Sequence, residues 1–461
     1  MRSRRAGVRG QGSGIRTVRE GVRPACRLGR HRGLWTGLIS ILAMGLVMLS
    51  ASRHPLYAEE VESLRLDDLV QEALKNSPEV LVSESRAQAS TYRIPQAKAL
   101  PDPMLMFGYQ NEGFRRLTIG EEIGAMGMFS LSQMFYFPGK RGLKGEMATK
   151  DTESLEAMHK AAQLRTVATV KQLYYDLFLA HKNIDILTKL TDYFSRVEDA
   201  ATARYSSGMG SQQEVVMAQT EKYMLLEKEE MQRQKIQAAQ GMLNSAIGRD
   251  VNAPLGRPVE LPSTPYNYGL DELVQMAKDN SPEIRSREKM VQAAEVKVKM
   301  AKKEYYPDFT LGASYYPRTQ GLMDMWNLTA TVNLPVYRKS KQEPALLEAR
   351  ENLLGSKREL AATEYMLSSG IRENHSMVRT AEKLMKIYKD GLIPKTYQDF
   401  QLALSGYATG KIEAITTISR LKALLDTEFL YWGQYVEREK AIARLEAITG
   451  NRDSSLGVTE K

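Results

Sequence analysis

The chain has 461 residues, 43% hydrophobic and 26% charged, which is enough apolar content to bury a sizeable core and excludes a disordered or collagen-like chain. Its formal charge of +9 is unevenly placed, because residues 1–58 hold eleven arginines, no lysine and one acid, Glu20. Removing them from the totals of 64 basic and 55 acidic residues leaves 53 against 54, so the rest is neutral and lacks the basic excess of a nucleic-acid binder.

The Arg-rich start is followed by an uncharged stretch, residues 34–51, with an apolar run over 38–49. This reads as a signal peptide spanning 1–58, cut after Ala58, and implies export. The alternative is an uncleaved inner-membrane anchor, which Gly37, Ser40, Gly45 and Ser50 weaken. Cys26 is the only cysteine and falls inside this leader, so the exported chain would have no disulfide and no lipid-attachment cysteine.

An internal repeat dominates the remainder. Residues 66–80 (LDDLVQEALKNSPEV) match 270–284 (LDELVQMAKDNSPEI) at ten of fifteen positions. The match continues with Pro101-Asp102 and Pro307-Asp308, then Tyr205 to Gly208 and Tyr407 to Gly410, and ends at Gly248 and Gly450. The sequence therefore predicts a first repeat over 59–250, a Pro-rich linker over 251–269, a second repeat over 270–450 and a tail over 451–461. Pro254, Pro258, Pro262 and Pro265 keep the linker from being helical.

Each repeat opens with a short helix. A second helix follows, over 78–99 or 282–306, with proline suited to its first turn and Pro95 bending the first copy. Two strands come next, at 104–110 and 126–137 in the first repeat and at 309–316 and 326–337 in the second. Long helices follow at 146–207 and 211–247, and at 341–409 and 411–448. The first is free of Gly and Pro, and its line Leu173, Leu177, Ala180, Ile184, Leu187, Thr191, Phe194 alternates steps of four and three, a coiled-coil seam. Gly355, Gly370, Gly391 and Pro394 should interrupt its counterpart.

The strands point to a membrane. Asn327, Thr329, Thr331 and Asn333 alternate with Leu328, Ala330, Val332 and Leu334, giving a wet, lumen-facing side and an apolar, lipid-facing side. Residues 101–140 and 305–337 are about 16% of the chain yet hold 14 of its 35 aromatic residues, as the girdles of a membrane barrel require. Four strands cannot close a barrel, and an open edge in lipid leaves backbone groups unpaired, so the chain must oligomerise; three copies supply twelve strands.

Catalytic, cofactor and metal sites are not apparent. His159, His181 and His375 form no i, i+4 pair, phosphate loops and nucleophile elbows are absent, and the 23 methionines read as core filler at helical spacing.

The doubled order of helix, two strands and long helices, with the paired Asn-Ser-Pro-Glu openings and Tyr-x-x-Gly turns, resembles the TolC-type family of outer membrane efflux channels over about residues 64–450. Gln133 and residues 137–141 (FPGKR) are similar to its heavy-metal branch. The resemblance implies a mainly α protein with a membrane β-barrel portion, a homotrimer whose twelve strands continue into an α-helical periplasmic tunnel. It implies a passive duct in the outer membrane of a Gram-negative bacterium, contacting outer membrane lipid, a periplasmic adaptor and an inner-membrane pump. Adaptor docking would fall at the tips, at Tyr205, Gly208, Met209 and Ser211 and at Tyr407, Gly410, Lys411 and Glu413. A periplasmic coiled-coil adaptor or scaffold held by an uncleaved anchor is the competing reading.

Overall fold

The computed structural model describes residues 63–118, 121–319 and 321–451; the leader and the tail from 452 onward lie outside them. The first repeat contains α1 (Leu66–Asn76), α2 (Pro78–Thr91), α3 (Arg93–Lys98), β1 (Met104–Gln110), β2 (Met126–Phe135), α4 (Lys140–Ser206) and α5 (Gln212–Ile247). The second contains α6 (Leu270–Asn280), α7 (Pro282–Lys303), β3 (Asp308–Tyr316), β4 (Met325–Asn333), α8 (Glu343–Ile387), α9 (Ile393–Ala408) and α10 (Ala414–Thr449). The local signals are conventional. Pro78 and Pro282 open their helices, where a missing N–H costs nothing, and Asp67 and Asp68 sit at the positive end of α1 with Lys75 at its negative end.

The helix α4 has 67 residues, about 100 Å at 1.5 Å per residue, and the bundle is organised along it. On one flank α2 and α3 cover part of its length and α5 covers the rest, while α7 and α10 lie on the other flank and carry α8 and α9 in turn. Leu177, Leu187, Leu190, Phe194 and Val197 are almost wholly buried, each worth roughly 1.5–3 kcal/mol of transfer free energy. They meet Leu243 and Ile247 of α5, Phe400 of α9 and Leu421, Leu424 and Val436 of α10. Ile184 and Thr191 of the predicted seam are only half-buried.

The four strands form one antiparallel sheet in the order β1-β2-β3-β4. Among the described residues no helix is long and apolar enough to cross a membrane.

Several bounds differ from the sequence reading, each for a local reason. The second helix of the first repeat stops at Thr91 and restarts at Arg93, because the ring of Pro95 conflicts with the carbonyl four residues back. The strand β2 stops at Phe135, and the Phe137 N–H donates to the Asp308 carboxylate (2.7 Å) instead of to a neighbouring strand. The strand β4 stops at Asn333 ahead of Pro335, which has no N–H for a ladder, so Leu334 falls outside it. The helix α4 starts at Lys140 and runs through Gly142 and Gly145. A Cβ at Gly145 would lie 2.5 Å from Cγ of Lys98, so that glycine admits a close approach and does not break the helix. Gly355 and Gly370 leave α8 unbroken, and the irregularity falls instead in a π-helical turn, Tyr388–Leu392, which contains Gly391 and precedes Pro394.

The Pro-rich linker is tied to the bundle by side chains that reach its backbone. Tyr174 donates to the Val259 carbonyl (2.8 Å), Tyr435 to that of Leu261 (2.6 Å), and Arg438 to that of Thr264 (2.8 Å). The fully buried Glu439 accepts from the Thr264 amide and from Arg438 beside it. Without those acceptors and donors the linker's backbone groups and the buried charges would both stand unpaired.

Candidate functional site

The sheet has two chemically distinct faces. In register, Leu328, Ala330 and Val332 stand opposite Ala313, Leu311 and Phe309, and these lie beside Leu131, Gln133 and Phe135 of β2. Leu105 and Phe107 of β1 extend the same apolar face, with Phe107 and Phe129 in edge-to-face contact at 5.5 Å. On the other face Asn327, Thr329, Thr331 and Asn333 stand opposite Ser314, Gly312, Thr310 and Asp308. Asn327 donates to the Tyr316 hydroxyl (3.2 Å), and Ser314 to the Ser130 hydroxyl (2.9 Å). Every position of β4 is exposed in the single chain, on both faces.

Where the sheet meets the helices, a buried lysine joins the two repeats. Lys140 is 1% exposed, and its ammonium donates to Asp308 (3.0 Å), to the Tyr306 carbonyl (3.0 Å) and to Glu304 (3.4 Å). Gly139 precedes it at φ +93°, a conformation open to glycine, and turns the chain from β2 into α4. Phe137 and Tyr306 stack beside it at 4.6 Å. Nothing in the sequence repeat singles this contact out, since Lys341, in the counterpart region of the second repeat, is exposed.

At the opposite end of the bundle both reversals use one device. Gly208 and Gly410 have φ +73°; their amides bond the carbonyls of Tyr205 and Tyr407 (3.0 Å each), and the next amides, of Met209 and Lys411, bond those of Arg204 and Gly406 (2.8 Å each). This is the Schellman helix end, which satisfies carbonyls the helix leaves free. The surroundings of the two turns differ. Arg204 reaches across, donating to the Tyr407 carbonyl (3.1 Å) and to the Met209 carbonyl (2.9 Å), with its guanidinium 5.1 Å from the Tyr407 ring. The Tyr407 hydroxyl donates to Glu214 (2.8 Å), and burial followed by that bond pushes the phenol up to about 12. Tyr407 is fully buried whereas Tyr205, its repeat partner, is 49% exposed. Met209, Ser211, Lys411 and Glu413 are exposed around the clasp. The sequence reading missed Arg204 and Glu214; no periodic signal marks them, because their role depends on the other repeat's turn.

His159 lies against Ser83 (2.8 Å) and Gln163, His375 against the Tyr266 hydroxyl (2.7 Å). Burial, then a neighbouring arginine, holds the His181 and His375 imidazoles below their ordinary range. Among the described residues no group of three or more His, Cys, Asp or Glu could hold a metal ion.

A two-faced sheet on a long helical bundle with paired tips is matched by the family described as outer membrane efflux protein, over residues 69–249 and 273–451. The chain belongs to the outer membrane efflux protein family. The two matched segments coincide with the two repeats, split at the Pro-rich linker. Among its relatives is the cobalt-zinc-cadmium resistance protein CzcC of Cupriavidus metallidurans, 21% identical over 364 residues, 77% of this chain and 83% of that protein. Solved structures share the fold. The outer membrane protein VceC of Vibrio cholerae superposes with a TM-score of 0.72 at 16% identity, over 84% of this chain and 96% of that one. CusC does so with a TM-score of 0.70 at 14% identity, over 84% and 92%. This efflux family member is an outer membrane channel with a large periplasmic helical portion.

Proposed function

We propose that three copies of this chain close into one duct, a twelve-stranded barrel continued by a periplasmic helical tunnel, and that the duct is the passive exit of a tripartite efflux system. The observation that carries this is the pair of unlike free edges. The strand β1 at one edge follows α3, the strand β4 at the other leads towards α8, and the three antiparallel pairings between them leave β1 and β4 running in opposite directions, so they pair antiparallel when copies meet. Head-to-tail contact between unlike edges generates a closed ring, and twelve strands lie within the range of membrane barrels. On this reading Asn327, Thr329, Thr331 and Asn333 face the lumen and Leu328, Ala330 and Val332 face lipid.

The tips then take an adaptor that couples the duct to an inner-membrane pump, through Met209, Ser211, Lys411 and Glu413. Their exposure around a rigid clasp supports docking there. The likeness to a cobalt-zinc-cadmium resistance protein supports a metal-ion cargo. Chemical cross-linking of the detergent-extracted protein should trap a three-chain species that conducts in planar bilayers; a monomer that conducts would contradict the closure. Charge reversal at both Lys411 and Glu413 should abolish metal export in cells and leave the trimer intact. Export that persists, or a trimer that is lost, would overturn the docking assignment.

A further inference from the structure

The wet face of the sheet carries more than hydroxyls and amides. Following the register through all four strands places Met104, Met106, Met126, Met128, Met134 and Met325 on the face of Thr329 and Thr331. That face holds no Leu, Ile, Val or Phe, whereas the opposite face holds four Leu and four Phe and no Met. Methionine used as an apolar filler would follow the other apolar side chains. Its segregation among Ser, Thr and Asn, with Met104 65% and Met106 50% exposed, calls for a property those residues lack. The thioether sulfur supplies one, since it is a soft, uncharged donor that suits Cu(I)-like cations and has little affinity for hard ones.

The sulfurs are grouped. On β1, Met104 and Met106 are two residues apart on one face, about 7 Å along the strand. On β2, Met128 stands opposite Gly108 and Met134 lies two residues beyond Ser132, the partner of Met104. Both are therefore diagonal neighbours of the β1 pair, within reach of long side chains. Gly108 makes room for this. A Cβ there would lie 2.7 Å from the Met128 Cε, so the missing side chain lets the Met128 thioether lie across β1 next to Met106. Three rotatable bonds per side chain let Met104 and Met134 meet on one ion and Met106 and Met128 on another, two diagonal pairs that follow one another along the strands, and release them again.

The geometry points to two adjoining thioether sites for soft monovalent cations, Cu(I) or Ag(I), on the inner wall of the barrel, one built by Met104 and Met134 and the other by Met106 and Met128, as exchangeable stations for cargo. They rest on the reading that this face lines the duct, and they narrow the cargo class from metal ions in general to thiophilic ones. Thioethers are uncharged, so no proton is released on binding and occupancy should not follow pH in the way thiolate or imidazole sites do.

The test uses the full-length protein purified in detergent, with silver nitrate in chloride-free buffer as the probe. Equilibrium dialysis should show Ag(I) retained and Zn(II) not retained. Replacing the four residues together with leucine (Met104→Leu, Met106→Leu, Met128→Leu, Met134→Leu) keeps volume and apolarity and removes only sulfur, so most silver retention should be lost while bilayer conductance is kept. The control Met224→Leu with Met242→Leu, on exposed positions of α5, should retain silver fully. A measurement on the unaltered protein guards against a variant that fails to fold. Silver should protect Met104, Met106, Met128 and Met134 from hydroxyl-radical oxidation, read by peptide mass spectrometry, and leave Met224 and Met242 unprotected. Silver retention unchanged by the four substitutions, or equal protection of helix and strand methionines, overturns the sites while conductance leaves the duct standing. Absence of conductance in the unaltered protein removes the duct, and the sites with it.

Discussion

The two repeats share a sequence grammar, yet their long helices live in different surroundings. In the first, α4 is a single 67-residue helix covered on both flanks by α2, α3 and α5 and by α7 and α10. In the second, the equivalent span is divided into α8 and α9 by a π-helical turn and lies at the margin of the bundle, with Tyr365 78% and Leu402 66% exposed. The difference teaches that position in the bundle, and not the repeat motif, decides which copy can tolerate a break. A helix packed on both sides loses buried contacts wherever its ladder fails, whereas one at an edge can bend to meet a neighbour.

The joint between sheet and helices should give the largest separation of the repeats. Lys140→Met leaves the Asp308 carboxylate, only 12% exposed on its side chain, without its cation, and should cost about 3–5 kcal/mol. Lys341→Met, at an exposed lysine of the equivalent region, should stay within about 0.5 kcal/mol. Thermal unfolding of the detergent-extracted protein measures both, and equal losses would remove the asymmetry at this joint.

On the sheet the repeats should instead behave alike. Phe107→Arg in the first and Val332→Arg in the second both place a charge on the apolar face, and each should reduce insertion by about 2–4 kcal/mol if it lies near the bilayer midplane. Thr331→Arg, on the wet face, should insert normally. Membrane fractionation separates these outcomes, and damage from Thr331→Arg matching that from Val332→Arg would reverse or abolish the two-faced reading.

The smallest contrast lies at the tips. Tyr407→Phe removes the hydroxyl bonded to Glu214 and should cost about 1 kcal/mol, seen as a lowered unfolding temperature, whereas Tyr205→Phe should change nothing because that ring is exposed. A matching loss from Tyr205→Phe would mean that the clasp is not confined to one repeat's tyrosine.

What the sequence by itself determined is what short-range chemistry determines. The 66–80 and 270–284 match announces the duplication, Pro78 and Pro282 start helices, Gly208 and Gly410 end them, and the alternation along β4 separates two faces, because each of these signals is complete within a few residues. Helix and strand ends were less legible. Pro335 and Pro95 act within a few residues of the boundary, but the Phe137 amide is captured by Asp308, which is 171 positions away. Only the tertiary structure decided which members of each repeated pair are buried. Lys140 is enclosed by Glu304, Tyr306 and Asp308, Tyr407 by Arg204 and Glu214, and the methionines of β1 and β2 meet on one face through strand pairing. Those contacts join residues from different elements, most of them from opposite repeats, and a charge, a hydroxyl or a sulfur takes its energetic value from what stands beside it in space.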